Sequence, residues 1–487
     1  MRQIASLGTA VAFFLAFFAS LPAQPAFAQP DGWDPAAAPP LAQEPAGPMA
    51  QAPPGFGPSA NGPYGPGPAM GRGPGQGPGP GGLDLSGPPL PPDHAAVDDS
   101  PFGLYGPLIE SESLGGASGA AAAMRDLGAG WARIISPALA RGGKALRDRG
   151  VRLYVALGPE PDDTVRSLVS RNKEAVRVWR IGNEPDFLRL GDRPDLYLAD
   201  LQRLYPLVKS VDPTAVVTFG ALSNEPHPGP DKPGYRYLET LLQGGACRYF
   251  DVFTFHAEGE EADWQGLGRA MAAYGELLAR YQCQKPVWVT EMATYSGQPS
   301  GRRTFAAQTE AGQAAGLVKR YVAGLALGIK KMFWTTLVEY HDFAGQPGSY
   351  YNFTGLVHNP KNKGLSSKKL AYYAYRQLSQ KVLATDWKAV KTVSDGADGL
   401  HVYAFPARAG GTPLWVVWRE GGAEAREARL AVGPASRVRV TPAVPRPATG
   451  READKGPAFD RTTAKVTGGV ATVRVGDAPV YVEPVRP

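Results

Sequence analysis

From residue 102 onward, short apolar and β-branched runs alternate eight times with longer stretches of helical character. This alternation restricts the fold more than any other feature of the 487-residue chain. The runs are 102–109, 130–136 (GWARIIS), 151–157 (VRLYVAL), 176–184 (VRVWRIGNE), 216–222 (VVTFGAL), 252–258 (VFTFHAE), 286–292 (PVWVTEM) and 331–338 (KMFWTTLV). Helical patterns follow them over 117–127, 138–149, 162–174, 195–210, 235–243, 262–281, 306–328 and 366–380. Alternating strand–helix units imply a parallel sheet. Eight units over 102–385 match the ~250 residues of a closed (β/α)8 TIM barrel. A doubly wound open sheet is the structural alternative, but nothing calls for it to stop at eight units and no nucleotide loop follows the first run.

Residues 386–487 lack long helical patterns. HVYAFPA, TPLWVVWRE, ARLAV, RVRVTPA, ATVRVG and APVYVEP alternate or run apolar with turns between them. They predict a small antiparallel, sandwich-like β-domain packed on the barrel, more a prop than a sugar-binding module. The other end of the chain reads as an address. Met1 and Arg2 open a positive region, residues 10–21 (AVAFFLAFFASL) are apolar, and Ala26-Phe27-Ala28 is a cleavage signature. The apolar run is short for a membrane span of ~20 residues. A cleaved signal peptide over 1–28 is therefore expected, with a secreted or periplasmic product and no stable membrane insertion. Residues 29–97 hold 15 Gly and 19 Pro, a composition that cannot bury enough apolar surface to offset its ordering entropy. Residues 29–98 are read as a disordered tether. The G-x-G-x-x-G at Gly77, Gly79 and Gly82 lies within it, with no strand before it and no helix after it, so it is not a dinucleotide site.

Charge narrows the partners. Residues 1–98 carry two basic and six acidic side chains, against a formal net charge of +6 for the whole chain. The globular part is thus mildly basic, but no Lys/Arg-rich run marks a nucleic-acid arm. No H-E-x-x-H, paired C-x-x-C or calcium-loop pattern is present, so neither a metal nor another cofactor is expected. The two cysteines precede neighbouring strands, Cys247 before the sixth run and Cys283 before the seventh. Both should lie at the barrel bottom, where an exported protein can bridge them.

Barrel enzymes place their chemistry at the C-terminal ends of the strands. The second run ends near Arg133, the fourth at Asn183-Glu184-Pro185-Asp186, the sixth at His256 and Glu258, the seventh at Thr290-Glu291-Met292, and the eighth carries Trp334. Strict alternation puts Val287, Val289 and Glu291 on one face of the seventh strand, expected to be the inner one because a carboxylate has no place among helices. Two carboxyls across a barrel mouth suit glycosidic bond cleavage, one protonated to donate to the leaving oxygen and one ionised to attack the anomeric carbon.

RIGNEPD followed by VTEM resembles the glycoside hydrolases of clan A, in which an Asn-Glu pair ends strand 4 and a second Glu ends strand 7. The likeness covers 102–385. GLVHNPKNKGLSSKKLAYYAY is similar to the strand-8 loop and last helix of families 39 and 5, and a β-domain after the barrel is similar to family 39. The resemblance implies Glu184 as general acid/base, Glu291 as nucleophile, Asn183 as a ligand of the sugar 2-OH, Trp334 as a stacking platform, and Arg133 and His256 as groups orienting carboxylates or substrate. Asn224-Glu225-Pro226 repeats the motif after the fifth run. The clan pattern needs two strands between acid and nucleophile, which favours Glu184 and leaves Glu225 to a groove loop. Two features depart from family 39. Gly182 stands where Trp is often found, as in family 79, and Ala257-Glu258 follow His256 where several clan members carry an aromatic.

The expectation is an exported retaining glycosidase acting on a poly- or oligosaccharide, with an exopolysaccharide as one candidate, and with loops 223–234, 293–305 and 340–365 walling a groove. A non-catalytic carbohydrate-binding protein on the same scaffold is the alternative, and a cell-envelope scaffold acting through the tether is a third reading.

Overall fold

The computed structural model describes residues 100–485 apart from 188–189, 301–303, 347, 365–366 and 422–423. The expected signal peptide and tether lie outside the described residues. Eight parallel strands form the barrel: β1 (Phe102–Tyr105), β2 (Trp131–Ile135), β3 (Arg152–Leu157), β4 (Val176–Ile181), β5 (Val216–Thr218), β6 (Phe253–Glu258), β7 (Val287–Ala293) and β8 (Lys331–Thr335). They pair in the order β5-β4-β3-β2-β1-β8-β7-β6, and parallel bridges Thr218–Val252 and Leu222–Phe255 close the ring. The alternation predicted this fold. The strands end sooner than several apolar runs, because residues such as 182–184 and 219–222 already belong to the mouth.

Helices cover all eight predicted stretches, with one broken. In place of a single helix over 138–149 the chain runs through Ser136–Ala138, a wider π turn Leu139–Gly143, and Lys144–Arg147. Gly142-Gly143 explain the break: glycine is the poorest helix former after proline. A Cβ at Gly142 would also lie 2.6 Å from Leu108, so the turn adapts to a close neighbour.

The barrel lumen is a packed core of Tyr105, Trp131, Tyr154, Val178, Val216, Val252, Trp288 and Phe333. Trp131, Tyr154, Trp288 and Phe333 meet at centroid distances of 5.5–6.3 Å, so the floor is filled and chemistry is confined to the upper end. Below that floor, Cys247 and Cys283 form a disulfide with Cα atoms 5.6 Å apart, joining the segments that lead into β6 and β7. Among the described residues no helix is long and apolar enough to cross a membrane.

The second sheet is antiparallel. It comprises β9 (Lys391–Asp395), β10 (Leu400–Phe405), β11 (Leu414–Arg419), β12 (Arg426–Ala431), β13 (Arg437–Pro442), β14 (Thr462–Thr467), β15 (Val470–Val475) and β16 (Val480–Pro484), in the order β12-β15-β14-β13-β16-β11-β10-β9. Six of these match the apolar runs. β9 and β14 did not stand out because KTVSD and TTAKVT are mostly exposed and carry no alternating apolar signal. The sheet folds over its own core, which includes Val417, Leu430, Val438, Val473 and Val482. Its other side meets the barrel: Trp264 lies edge-on to Trp418 at 5.3 Å and to His401 at 5.0 Å, and its indole donates to Glu420 at 2.8 Å.

A buried ionic group fixes the strand-8 loop. Lys369 Nζ lies 2.9 Å from Glu339 Oε1, both fully buried. His358 bridges Glu339 at 3.3 Å and Glu310 at 3.1 Å. Glu310 also accepts from the backbone N–H groups of Leu370 and Gly450, at 2.8 Å each, tying barrel, loop and β-domain together. Burial works to raise the Glu339 carboxyl, but Lys369 and His358 outweigh it and hold it at about 2. A carboxyl depressed on folding stabilises the native state above its unfolded value of about 4.3 and loses that contribution as pH falls toward its folded value. The wild type should therefore lose about 2 kcal/mol between pH 4.5 and pH 2 that Glu339→Gln does not lose. Denaturant titrations across that range measure the difference. Serine at both Cys247 and Cys283 should cost about 3–4 kcal/mol in the same titration at neutral pH, from the entropy of reopening a loop of 36 residues.

Candidate active site

Glu184 stands just past β4 in a bend the backbone makes at some cost. Gly182 has φ 73° and Glu184 itself φ 39°, a region sparsely used by residues with a side chain and worth roughly 1–3 kcal/mol of strain. Gly182 is required here, since a Cβ would lie 3.1 Å from the Tyr197 ring. The bend is held by the Glu184 N–H donating to Gly220 O at 2.9 Å. It leaves Glu184 5% exposed at the barrel mouth.

Glu291 arrives by a different device. Phe255 pairs with Val289 but His256 pairs with Glu291, so β7 carries one extra residue, Thr290. The bulge breaks strict alternation. Trp288 belongs to the lumen cluster and Val289 to the outer core, which corrects the expectation that Val287, Val289 and Glu291 share a face. Glu291 points inward because the bulge turns it there, a common use of bulges beside functional sites. The same bulge offers the Thr290 carbonyl to Arg133, whose Nη1 donates to it at 2.9 Å.

Arg133 and His256 join these elements. Arg133, 1% exposed, places Nη1 2.8 Å from Glu291 Oε1 and Nη2 2.8 Å from Asn183 Oδ1, with its guanidinium 4.5 Å above the Tyr105 ring. Arg180 Nη1 also donates to Asn183 Oδ1, at 2.9 Å. With two guanidinium groups on its oxygen, Asn183 is oriented with its amide N–H donors on the other side. The His256 imidazole bridges the two carboxylates: Nδ1 is 2.8 Å from Glu184 Oε1 and Nε2 is 3.4 Å from Glu291 Oε1. Glu184, Glu291, Asn183, Arg133 and His256 therefore form one cluster at the C-terminal ends of β2, β4, β6 and β7.

Trp334 is not part of it. Phe333 faces the lumen, with its ring 5.5 Å from Tyr154, so the next side chain on the strand points outward. Trp334 is 0% exposed within the outer core, and its indole donates to Thr354 O at 3.0 Å. A sugar cannot stack on it, which corrects the expected platform. The loop after β8 carries an aromatic cluster of its own. Phe343 lies 4.7 Å from Tyr351 and 5.0 Å from Tyr340, centroid to centroid. Tyr350 meets Tyr295 and Phe305 of the loop after β7 at 5.5 and 5.4 Å.

Two further carboxyls line the mouth. Asp186 accepts from the Ser223 N–H at 2.9 Å and from its hydroxyl at 2.7 Å. Burial pushes it up to about 6 against those bonds, and the charge of Glu184 adds to the rise. Glu258 accepts from the Tyr351 hydroxyl at 2.6 Å. Glu225 sits apart, near the start of helix Pro233–Gln243, where a Cβ on Gly234 would lie 3.4 Å from its Oε2 and 3.1 Å from Asp186 Oδ2. Beside β1 and β2, a cleft of about 380 Å³ opens between Tyr105, Glu110, Ile135 and Arg141. Among the described residues no group of three or more His, Cys, Asp or Glu side chains could hold a metal ion.

No family model matches the sequence, and no curated protein matches it. Solved structures do match its fold. A family 39 glycoside hydrolase from Bacteroides cellulosilyticus WH2 superposes with a TM-score of 0.57 at 16% identity, covering 79% of this chain and 81% of that one. An α-L-arabinofuranosidase from Thermotoga maritima gives 0.57 at 11% identity, covering 80% and 96%. A glucosidase from Croceicoccus marinus gives 0.54 at 14% identity, covering 80% and 96%. At such identities the likeness defines a class by fold: a (β/α)8 barrel followed by an antiparallel β-domain, the architecture of these glycoside hydrolases.

Removing the guanidinium should expose how much of the cluster depends on it. Arg133→Met leaves Glu291 buried without its cation, and should cost about 3–5 kcal/mol of stability in denaturant titration. Arg166→Met, on an exposed helix surface, should cost less than about 0.5 kcal/mol.

Proposed function

We propose that the chain is a retaining glycoside hydrolase acting on a poly- or oligosaccharide, with Glu184 as general acid/base and Glu291 as nucleophile. The observation that carries this reading is the single imidazole spanning both carboxylates, 2.8 Å from one and 3.4 Å from the other. That gathers both carboxylates in one cluster at the barrel mouth; the retaining assignment predicts that they lie ~5–5.5 Å apart, whereas an inverting enzyme would leave room for a water between them.

The residues divide the work by their partners. Arg133 neutralises the charge Glu291 carries before attack and fixes its oxygen at 2.8 Å, so the nucleophile needs no reorganisation. Glu184 shares its oxygen with His256, an arrangement that lets it exchange a proton. It protonates the departing glycosidic oxygen as Glu291 attacks the anomeric carbon. It then takes a proton from the water that releases the sugar. Asn183, its amide donors turned away from the two arginines, is placed to hold the sugar 2-OH. Phe343 and Tyr351, both half-buried in the loop after β8, are placed to offer a stacking surface in place of Trp334. Export by a cleaved signal peptide is part of the proposal, and the disulfide is compatible with an oxidising compartment.

Reducing-end release from a panel of neutral, acidic and amino polysaccharides by the full chain tests the reading. Glu184→Gln should lose about 10²–10⁴-fold in turnover, and Glu291→Gln should be at least as impaired. Azide should restore turnover in Glu184→Ala with a glycosyl azide of retained configuration, and in Glu291→Ala with one of inverted configuration. Full activity in Glu291→Gln would remove the nucleophile assignment. Oligosaccharide binding without turnover by the wild type would favour a binding protein.

A further inference from the structure

Glu258 is the carboxyl the mechanism above leaves idle, and it occupies a place few side chains would tolerate. It ends β6 two residues beyond His256, hence on the same inward face. Its backbone is clamped by Asn224 of the loop after β5, whose Oδ1 accepts from the Glu258 N–H at 3.0 Å and whose Nδ2 donates to the Glu258 carbonyl at 3.1 Å. Its side chain is clamped from the opposite wall, where the Tyr351 hydroxyl donates to Oε2 at 2.6 Å. The neighbouring Tyr350 hydroxyl closes the same corner on the Gly259 backbone, accepting from its N–H at 3.0 Å and donating to its carbonyl at 2.9 Å. Oε1 is buried and has no hydrogen-bond partner among the described residues. A buried polar atom without a partner costs free energy unless a ligand completes it. Here two loops hold the group in place while one oxygen stays unused.

We propose that Glu258 is a specificity-determining residue of the site, a hydrogen-bond donor that Tyr351 orients and that reads a sugar hydroxyl beside the bond being cleaved. The proposal rests on the glycosidase reading and names a further contact within it. The charges facing Glu258 come from Glu291 on β7, Glu184 beyond β4 and Arg133 on β2, with His256 on its own strand and Tyr350 and Tyr351 from the loop after β8. Burial and the Glu291 charge push its carboxyl well above the usual carboxylate range, the Tyr351 hydrogen bond and Arg133 oppose this, and Glu184 adds to it. Like charges crowded in one site leave one carboxyl protonated. A protonated Glu258 accepts from Tyr351 through Oε2 and has a proton to give through Oε1. A site that hydrogen-bonds a substrate hydroxyl rejects the analogue lacking it far more strongly than an apolar pocket rejects a missing methylene, so this contact would select among sugars by one hydroxyl.

The test uses the full chain with Glu258→Gln, Glu258→Leu and Tyr351→Phe. Gln keeps a donor on the same fork and should stay within roughly threefold of wild-type kcat/KM at neutral pH. Leu removes the donor and should lose about 10- to 100-fold. The wild-type alkaline limb should reflect two ionisations, those of Glu184 and Glu258, and the Gln variant only one. Tyr351→Phe removes a bond that opposes protonation, and should move the Glu258 ionisation upward. Infrared difference spectra at neutral pH should show a protonated carboxyl band in the wild type that is absent in Glu258→Gln. This readout needs no turnover, so it judges Glu258 even if no polysaccharide is cleaved and the glycosidase reading fails. An ionised Glu258 at neutral pH, a Gln variant as impaired as Leu, or identical alkaline limbs in wild type and Gln would each overturn the proposal.

Discussion

Arg133 lies inside a barrel whose lumen is largely aromatic and aliphatic, and a guanidinium is tolerated there only when its charge and its donors are met. The structure meets them with three acceptors drawn from two other strands and their ends: the Glu291 carboxylate, the Thr290 carbonyl and the Asn183 amide oxygen. The Tyr105 ring adds a face below. One side chain on β2 thereby fixes the end of β7 against the end of β4. The bulge at Thr290 fits this arrangement, since it presents a carboxylate and a carbonyl to the same nitrogen. Without the arginine, Glu291 would lose the guanidinium that neutralises it, and the direct tie between Asn183 and Glu291 would be gone.

Around that fixed pair, the mouth is arranged so that its carboxyls differ in environment. Glu291 has a guanidinium, Glu184 has an imidazole, Asp186 has a hydroxyl and a backbone N–H, and Glu258 has a phenol. Each partner neutralises or shares charge to a different degree, so carboxyls of one residue type meet different electrostatic environments. The supporting loops are tied down at a distance. The Glu339–Lys369–His358–Glu310 group anchors the strand-8 loop from beneath, so Tyr350 and Tyr351 meet the ends of β6 and β7 from a rigid base. Rigidity of that kind is what a preorganised site needs.

Much of this was legible in the chain because it is written locally. The eight runs show the barrel through periodicity. RIGNEP and VTEM mark the ends of β4 and β7, Arg133 and His256 stand at comparable depths on β2 and β6, and the two cysteines precede adjacent strands. Alternation misled at two places. On β7 it named Val287 and Val289 as companions of Glu291, whereas Trp288 is the residue that faces the lumen. The extra residue at Thr290 depends on how β7 meets β6 and β8. On β8, Trp334 had the right type and strand for a platform, yet Phe333 took the inward position. Glu258 was visible as a departure after His256, but its meaning depends on Tyr351, 93 positions later in the chain.

The sequence by itself determined the number and order of strand–helix units, because hydrophobic period and turn residues are properties of neighbouring positions and need no partner to be read. It likewise placed Glu184 and Glu291 at strand ends. The tertiary structure alone decided which atoms face one another there. The Arg133–Glu291 contact joins residues 158 positions apart and the His256–Glu184 contact residues 72 apart. Such pairs form only when the barrel closes, and their distances follow from strand register and one bulge, quantities set by the packing of the whole ring.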